Sequence, residues 1–198
     1  MSLSSYLAFV AYACATTFLP GPNNVLLLTA TGQFGFKRNL PLMCGIWTGL
    51  VTVMLLAGSF CSVLGTLVPQ IAPVFKYVGA AYILYLAWKT VKRNPVSTDG
   101  KSVEEPLKYH NGFLLQFLNV KVIMLGLAAY PGYFLPFGHS AFLIILFAIT
   151  MTICCGTGNL IWACAGSLIC PVYNKYYKVV NWIMGLLLVY CAAKIIFM

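Results

Sequence analysis

Residues 3–31 read LSSYLAFVAYACATTFLPGPNNVLLLTAT, with no charged residue among them. A bilayer's hydrocarbon core is about 30 Å thick and needs about 20 apolar residues of helix to cross it. These 29 residues would reach about 43 Å at 1.5 Å per residue, more than a straight crossing requires. The surplus surrounds Pro20-Gly21-Pro22-Asn23-Asn24. Proline removes a backbone donor and clashes with the preceding turn, and glycine permits dihedrals other residues resist. Two prolines around a glycine predict a broken membrane helix. A kink is the plainer reading, and a binding site formed by the interruption is the other.

The composition generalises that reading to the whole chain. Of 198 residues, 61% are hydrophobic and 8% charged, and the mean hydropathy is +0.90. A soluble domain is about 45–50% apolar and about 25% charged. Too little polar residue exists here to cover a water-facing surface. An ordinary soluble enzyme, a disordered chain and a secreted disulfide scaffold are excluded, which leaves an all-α polytopic membrane protein.

We read six transmembrane helices: Leu3–Thr31, Leu40–Val68, Ala72–Val91, Gly112–Phe137, Ala141–Ile169 and Val179–Phe197. Between them lie Gly32–Asn39, Pro69–Pro73, Lys92–Asn111, Gly138–Ser140 and Cys170–Lys178. The first span lacks a basic leader and exceeds the apolar core of a signal peptide, so we read it as a mature helix. No stretch outside the spans is long enough for a soluble domain. The chain is one transmembrane domain, with repeats at 1–93 and 111–198 around a loop at 94–110.

Positive charge orients the spans. With the N-terminus outside, Lys37, Arg38, Lys89, Lys92, Arg93, Lys101, Lys108, Lys175 and Lys178 fall on the cytoplasmic side. Only Lys76 and Lys194 fall outside, and Lys121 lies within a span. Both termini are therefore expected away from the cytosol. All three acids, Asp99, Glu104 and Glu105, sit in the central loop. The net charge of +9 is parked between apolar spans, so we expect a lipid environment and no nucleic-acid partner.

Six spans divide into two sets of three, and an odd number per half forces the halves to run antiparallel. Tyr85-Leu86-Ala87-Trp88-Lys89 ends the third span and Tyr190-Cys191-Ala192-Ala193-Lys194 the sixth, both reading Y-x-A-x-K. The first helix of each half is also interrupted. In span four the interruption is Gln116, Asn119 and Lys121, within otherwise apolar sequence. The expected architecture is two inverted three-helix repeats with broken helices one and four. Interrupted segments at matching positions of two halves are the best sequence pointer to a transporter's substrate site. Lys121 carries the most weight, because a lysine well inside a span costs about 2.5–3.5 kcal/mol to insert. Lining a polar cavity suits it better than snorkelling, since it lies about 18 Å of helix from Lys108.

Span five adds Gly156-Thr157-Gly158-Asn159, with Trp162 and Gly166 following on one helix face. The glycines read as a small-residue packing face, whereas Asn159 is an amide in search of partners. The eight cysteines lie in or beside apolar runs without CxxC spacing or a nearby histidine. They read as apolar filler, and we expect no metal and no cofactor.

These residues carry a family resemblance. Pro20-Gly21-Pro22-Asn23-Asn24, Gly79-Ala80-Ala81-Tyr82-Ile83 leading to Ala87-Trp88-Lys89, and Gln116-Phe117-Leu118-Asn119-Val120-Lys121 resemble the LysE/RhtB family of amino-acid exporters. So do Gly158-Asn159 with Trp162-Ala163 and Ala165-Gly166, and Leu187-Leu188-Val189-Tyr190-Cys191-Ala192. The likeness spans essentially the whole chain and is greatest to the cysteine and O-acetylserine exporter branch. Many members have an acid where this chain has Asn23, and proline where it has Val120; the named branch shares both departures. Without that acid, a proton-antiport expectation has no intramembrane carboxylate, and Lys121 is left as the candidate carrier.

The resemblance implies an exporter in a bacterial inner membrane, and the residues supply a chemistry for it. An amino acid's carboxylate suits the positive end of a half-helix after the break, near Asn23, Asn24 and Val25, with Lys121 as a second anion partner. The ammonium has no acid to meet. Backbone carbonyls and the amides of Asn24, Asn119 or Asn159 would hold it, with the face of Trp162 adding a cation–π contact. The candidate substrate-binding set is thus Pro20, Gly21, Pro22, Asn23, Asn24, Gln116, Asn119, Lys121, Asn159 and Trp162, and the expected substrate is a small neutral amino acid. A passive channel is the second reading. A membrane thiol-redox protein, resting on vicinal Cys154-Cys155, is the third. A chain this small also suits a homodimer.

Overall fold

The computed structural model describes residues 2–18, 21–64, 77, 80–81, 83–85, 87–92, 106–138 and 140–197. Among these, every regular element is helical. Helix α1 (Leu3–Phe18) and helix α2 (Pro22–Phe34) replace the single first span, and their axes differ by 50°. Pro22 stands at the first turn of α2, where its missing N–H costs nothing. Pro20 lies outside the described residues. All thirteen residues of α2 are buried, polar ones included, so this half-helix runs through the centre of the molecule. It stops at Gly35, whose φ of +76° is a left-handed conformation that favours glycine. Asn39 in the following turn donates from Nδ2 to Ala30 O and Gly35 O at 2.8 Å each, satisfying carbonyls at that helix end.

Helix α3 (Leu40–Leu64) is unbroken. Helices α4 (Tyr109–Leu118) and α5 (Val120–Tyr133) divide the expected fourth span at Asn119, which is non-helical at φ −84° and ψ 91°. The sequence predicts an interruption there without a proline, and the backbone breaks at the asparagine itself. Helix α6 (Ala141–Phe197) covers both remaining spans. It comprises two helices that meet at a kink where Tyr176 is non-helical at φ −120° and ψ 19°, within the Cys170–Lys178 stretch expected to separate the last two spans; the other residues of that stretch are helical. The polar residues of that stretch suggest a connection, yet it holds no glycine to end a helix. Pro69–Pro73 lies outside the described residues and the expected third span is described only in part, at 77, 80–81, 83–85 and 87–91, all helical.

Four helical segments are long and apolar enough to cross a membrane: Lys37–Ser62, Val120–Phe137, Ala141–Leu168 and Lys175–Ala193. The bent pair α1–α2 makes a fifth among the described residues. Small residues let these helices approach, as expected where lipid supplies no hydrophobic drive. Gly45 and Gly112 bring α3 and α4 together, so that a Cβ on Gly45 would strike Tyr109 O and one on Gly112 would strike Leu42 O. On α6, Gly158 faces Thr17 and Gly166 faces Leu28 O and Thr31. The glycines of α6 are a packing face, as their spacing suggests.

Two apolar clusters result. One joins α2, the start of α3, α4, residues 80–87 and α6 at Ala163 and at Met184 to Ala192. The other joins α1, the rest of α3, α5 and α6 at Phe147 to Cys154. Phe9, Tyr130, Phe134 and Phe147, all fully buried, stack in this second cluster, Phe9 against Phe134 edge-on at 4.8 Å. The polar residues of both breaks fall where the two clusters meet.

Candidate functional site

Three buried amides tie the two breaks together. Asn23 donates from Nδ2 to Gln116 Oε1 at 2.8 Å, and its Oδ1 accepts from Asn119 Nδ2 at 2.9 Å and Gln116 Nε2 at 3.2 Å. Gln116 also donates to Gly112 O, 3.1 Å away within α4. Asn23 therefore clamps the start of α2 to the break between α4 and α5. Asn24 closes the other break, donating from Nδ2 to Thr17 O at 2.9 Å, a carbonyl in the last turn of α1. Each net bond is worth about 1 kcal/mol, but a buried partner left unpaired costs about 1–3 kcal/mol.

A cavity of about 40 Å³ opens at this junction. Gly21, Pro22, Asn23 and Asn24 line it from the first break, and Asn119, Lys121, Val122 and Leu125 from the second. Thr16 and Thr17 of α1, Leu50 of α3, and Cys155 and Asn159 of α6 complete the wall. Helices α2 and α5 both begin at the cavity. A helix start leaves its first N–H groups outside the helical ladder and carries about half a positive charge, so two such ends meet here. Lys121, in the first turn of α5, adds a full charge. Its side chain passes over Gly21, where an added Cβ would lie 3.0 Å from both Cδ and Nζ. Gly21 is extended at φ −154°, which any residue can adopt, so what its missing side chain provides there is room for the lysine to lie close. No lining residue is a carboxylate.

Two lining amides have an atom without a partner in the protein. Asn119 Oδ1 and Asn159 Nδ2 are both unbonded, although the residues are only 1% and 3% exposed. Buried polar atoms are normally paired, and these offer one acceptor and one donor at the same cavity.

Seven of the ten residues singled out in the sequence line this cavity. Gln116 stands behind it, holding Asn23. Trp162 does not line it and packs instead against the apolar cluster around α2. Pro20 lies outside the described residues. Thr16, Thr17, Leu50, Val122, Leu125 and Cys155 escaped the sequence reading. Spacing could have found three of them, since Val122 and Leu125 share α5 with Lys121 and Cys155 precedes Asn159 by one turn. Leu50 carries no such signal. The described cysteines are free thiols, and the described residues contain no group of His, Cys, Asp and Glu suited to a metal ion. Neighbouring Cys154 and Cys155 diverge, Cys154 into the apolar cluster and Cys155 onto the cavity wall.

Apolar spans, two broken helices and a cavity lined by buried amides at their junction define a multi-pass membrane transport protein. Comparison with known proteins agrees. The LysE type translocator family model matches residues 14–198. The chain is 37% identical over 190 residues to the cysteine/O-acetylserine efflux protein of Salmonella typhi, covering 96% of each chain. The protein of the same description from Klebsiella pneumoniae is 34% identical over 189 residues, covering 96% of this chain and 95% of that one. That of Escherichia coli K12 is 33% identical over 190 residues, covering 96% of each. No solved structure matches. The chain belongs to the LysE family of translocators and is an amino-acid exporter, a multi-pass protein of the bacterial inner membrane.

Proposed function

We propose that this exporter moves small neutral amino acids, cysteine and O-acetylserine among them, by alternating access through the cavity at the paired breaks. The observation that carries the reading is the convergence of two helix starts and Lys121 on one cavity that has no carboxylate. A substrate carboxylate fits this positive pole, with Asn159 Nδ2 as a further donor. The ammonium meets Asn119 Oδ1 and the carbonyl end of α1, where a broken helix presents partial negative charge. A cationic side chain would add a second positive charge beside Lys121, and the lining offers nothing to balance it. The descriptions of the relatives supply the particular substrates.

A cavity of about 40 Å³ has room for about three waters at 10–15 Å³ each, too little for an amino acid. Apolar clusters flank it. Substrate entry therefore requires the helices to part, which favours alternating access over an open channel. The two halves, 1–93 and 111–198, would rock as inverted three-helix repeats, with both termini outside as the lysine and arginine distribution argues. The test is efflux of labelled cysteine, O-acetylserine, threonine and lysine from loaded vesicles, with and without a proton gradient. Selective efflux of the first two is expected. Efflux of lysine, or of none of the four, would overturn the substrate reading.

A further inference from the structure

We infer that the pair Thr17–Cys155 reads the substrate's side chain, with Cys155 Sγ lying against it. The inference rests on the amino-acid site proposed above and names its selectivity wall. Thr17 Oγ1 donates to Cys155 Sγ at 3.4 Å, and both residues line the cavity. The close approach of α6 at Gly158, which faces Thr17, holds the two elements in this register. Cys155 lies one turn before Asn159, whose Nδ2 is buried and unpartnered on the same wall.

The chemistry of this pair differs from that of the breaks. With its hydrogen committed to sulfur, the Thr17 hydroxyl keeps acceptor lone pairs, and the Cys155 thiol keeps a weak S–H donor. The substrate's charged groups are met by the helix ends, Lys121 and the amides. Its side chain is left to Thr17, Cys155 and the apolar Leu50 and Leu125. Such a wall suits a short neutral side chain bearing a thiol, a hydroxyl or an ester oxygen. It offers a cation no counter-charge and gives a purely aliphatic chain no use for either polar group.

The test uses the full wild-type chain in proteoliposomes. A small methanethiosulfonate reagent is applied, and the labelled cysteines are located by mass spectrometry. O-acetylserine has no thiol to consume the reagent, so slower labelling reports occupancy. Labelling of Cys155 should slow about tenfold at ten times the dissociation constant of O-acetylserine, and lysine should leave it unchanged. Cys155→Ala and Thr17→Val should shift the ratio of cysteine to serine efflux by about three- to tenfold while transport persists. A Cys155 that does not label, or labels equally fast with O-acetylserine present, overturns the inference, as does an unchanged ratio in both variants. Lys121→Ala run alongside separates the two ideas. If it abolishes efflux while Cys155 stays unprotected, the site stands and only the selectivity wall falls.

Discussion

Asn23 is a hub because one short amide serves two helices at once. It bonds Gln116 and Asn119, and all three residues are buried. Asn23→Leu keeps the branched shape without the amide and strands both partners, at about 1–3 kcal/mol each. The expected outcome is a lower midpoint of thermal unfolding in detergent. Asn159 should behave in the opposite way. Its Nδ2 has no protein partner, so Asn159→Leu removes an unpaired buried group and should leave the unfolding midpoint level or higher while export falls. Loss of stability with export intact would mean that Asn159 holds the fold and not the substrate. At this scale the sequence is legible where polarity is conspicuous. Asn23, Asn119, Lys121 and Asn159 stand out against apolar neighbours, whereas Thr17 is ordinary in a membrane helix and shows its place only when α1 meets α6.

Both breaks were readable at the scale of elements because polar residues interrupt otherwise apolar runs. Their causes differ. The first has Pro22 opening α2, and the second turns at Asn119 with no proline present. Val120 is the first residue of α5, a position that tolerates proline because its N–H lies outside the helical ladder. Val120→Pro should therefore insert, fold and export like the wild type, and a vesicle efflux assay checks it. The contact of α3 with α4 is less forgiving. Gly112→Ala would press a methyl onto Leu42 O and should destabilise by about 1–3 kcal/mol, read as a drop in the unfolding midpoint. The polar stretch at 170–178 marks the place where two helices meet at a kink, although it holds less non-helical backbone than its polarity suggests. Lysine, tyrosine and asparagine do not end a helix unaided, and only Tyr176 leaves helical geometry.

In the whole molecule the proposed substrate site lies between two apolar clusters. Composition sufficed to show a helical membrane protein, and charge placement supplies only an expected orientation. The meeting of the two breaks at one cavity was signalled by the polar interruptions of both helices, but the contributions of Thr16, Thr17 and Leu50 to its wall depend on packing that no local pattern encodes. The central claim is that this cavity binds the transported amino acid through the helix starts and Lys121. Its most direct measurement is efflux of labelled O-acetylserine from vesicles holding equal amounts of inserted wild-type protein and Lys121→Ala. Loss of a charge-assisted contact predicts a fall of about tenfold or more. Undiminished efflux by the variant would contradict the account.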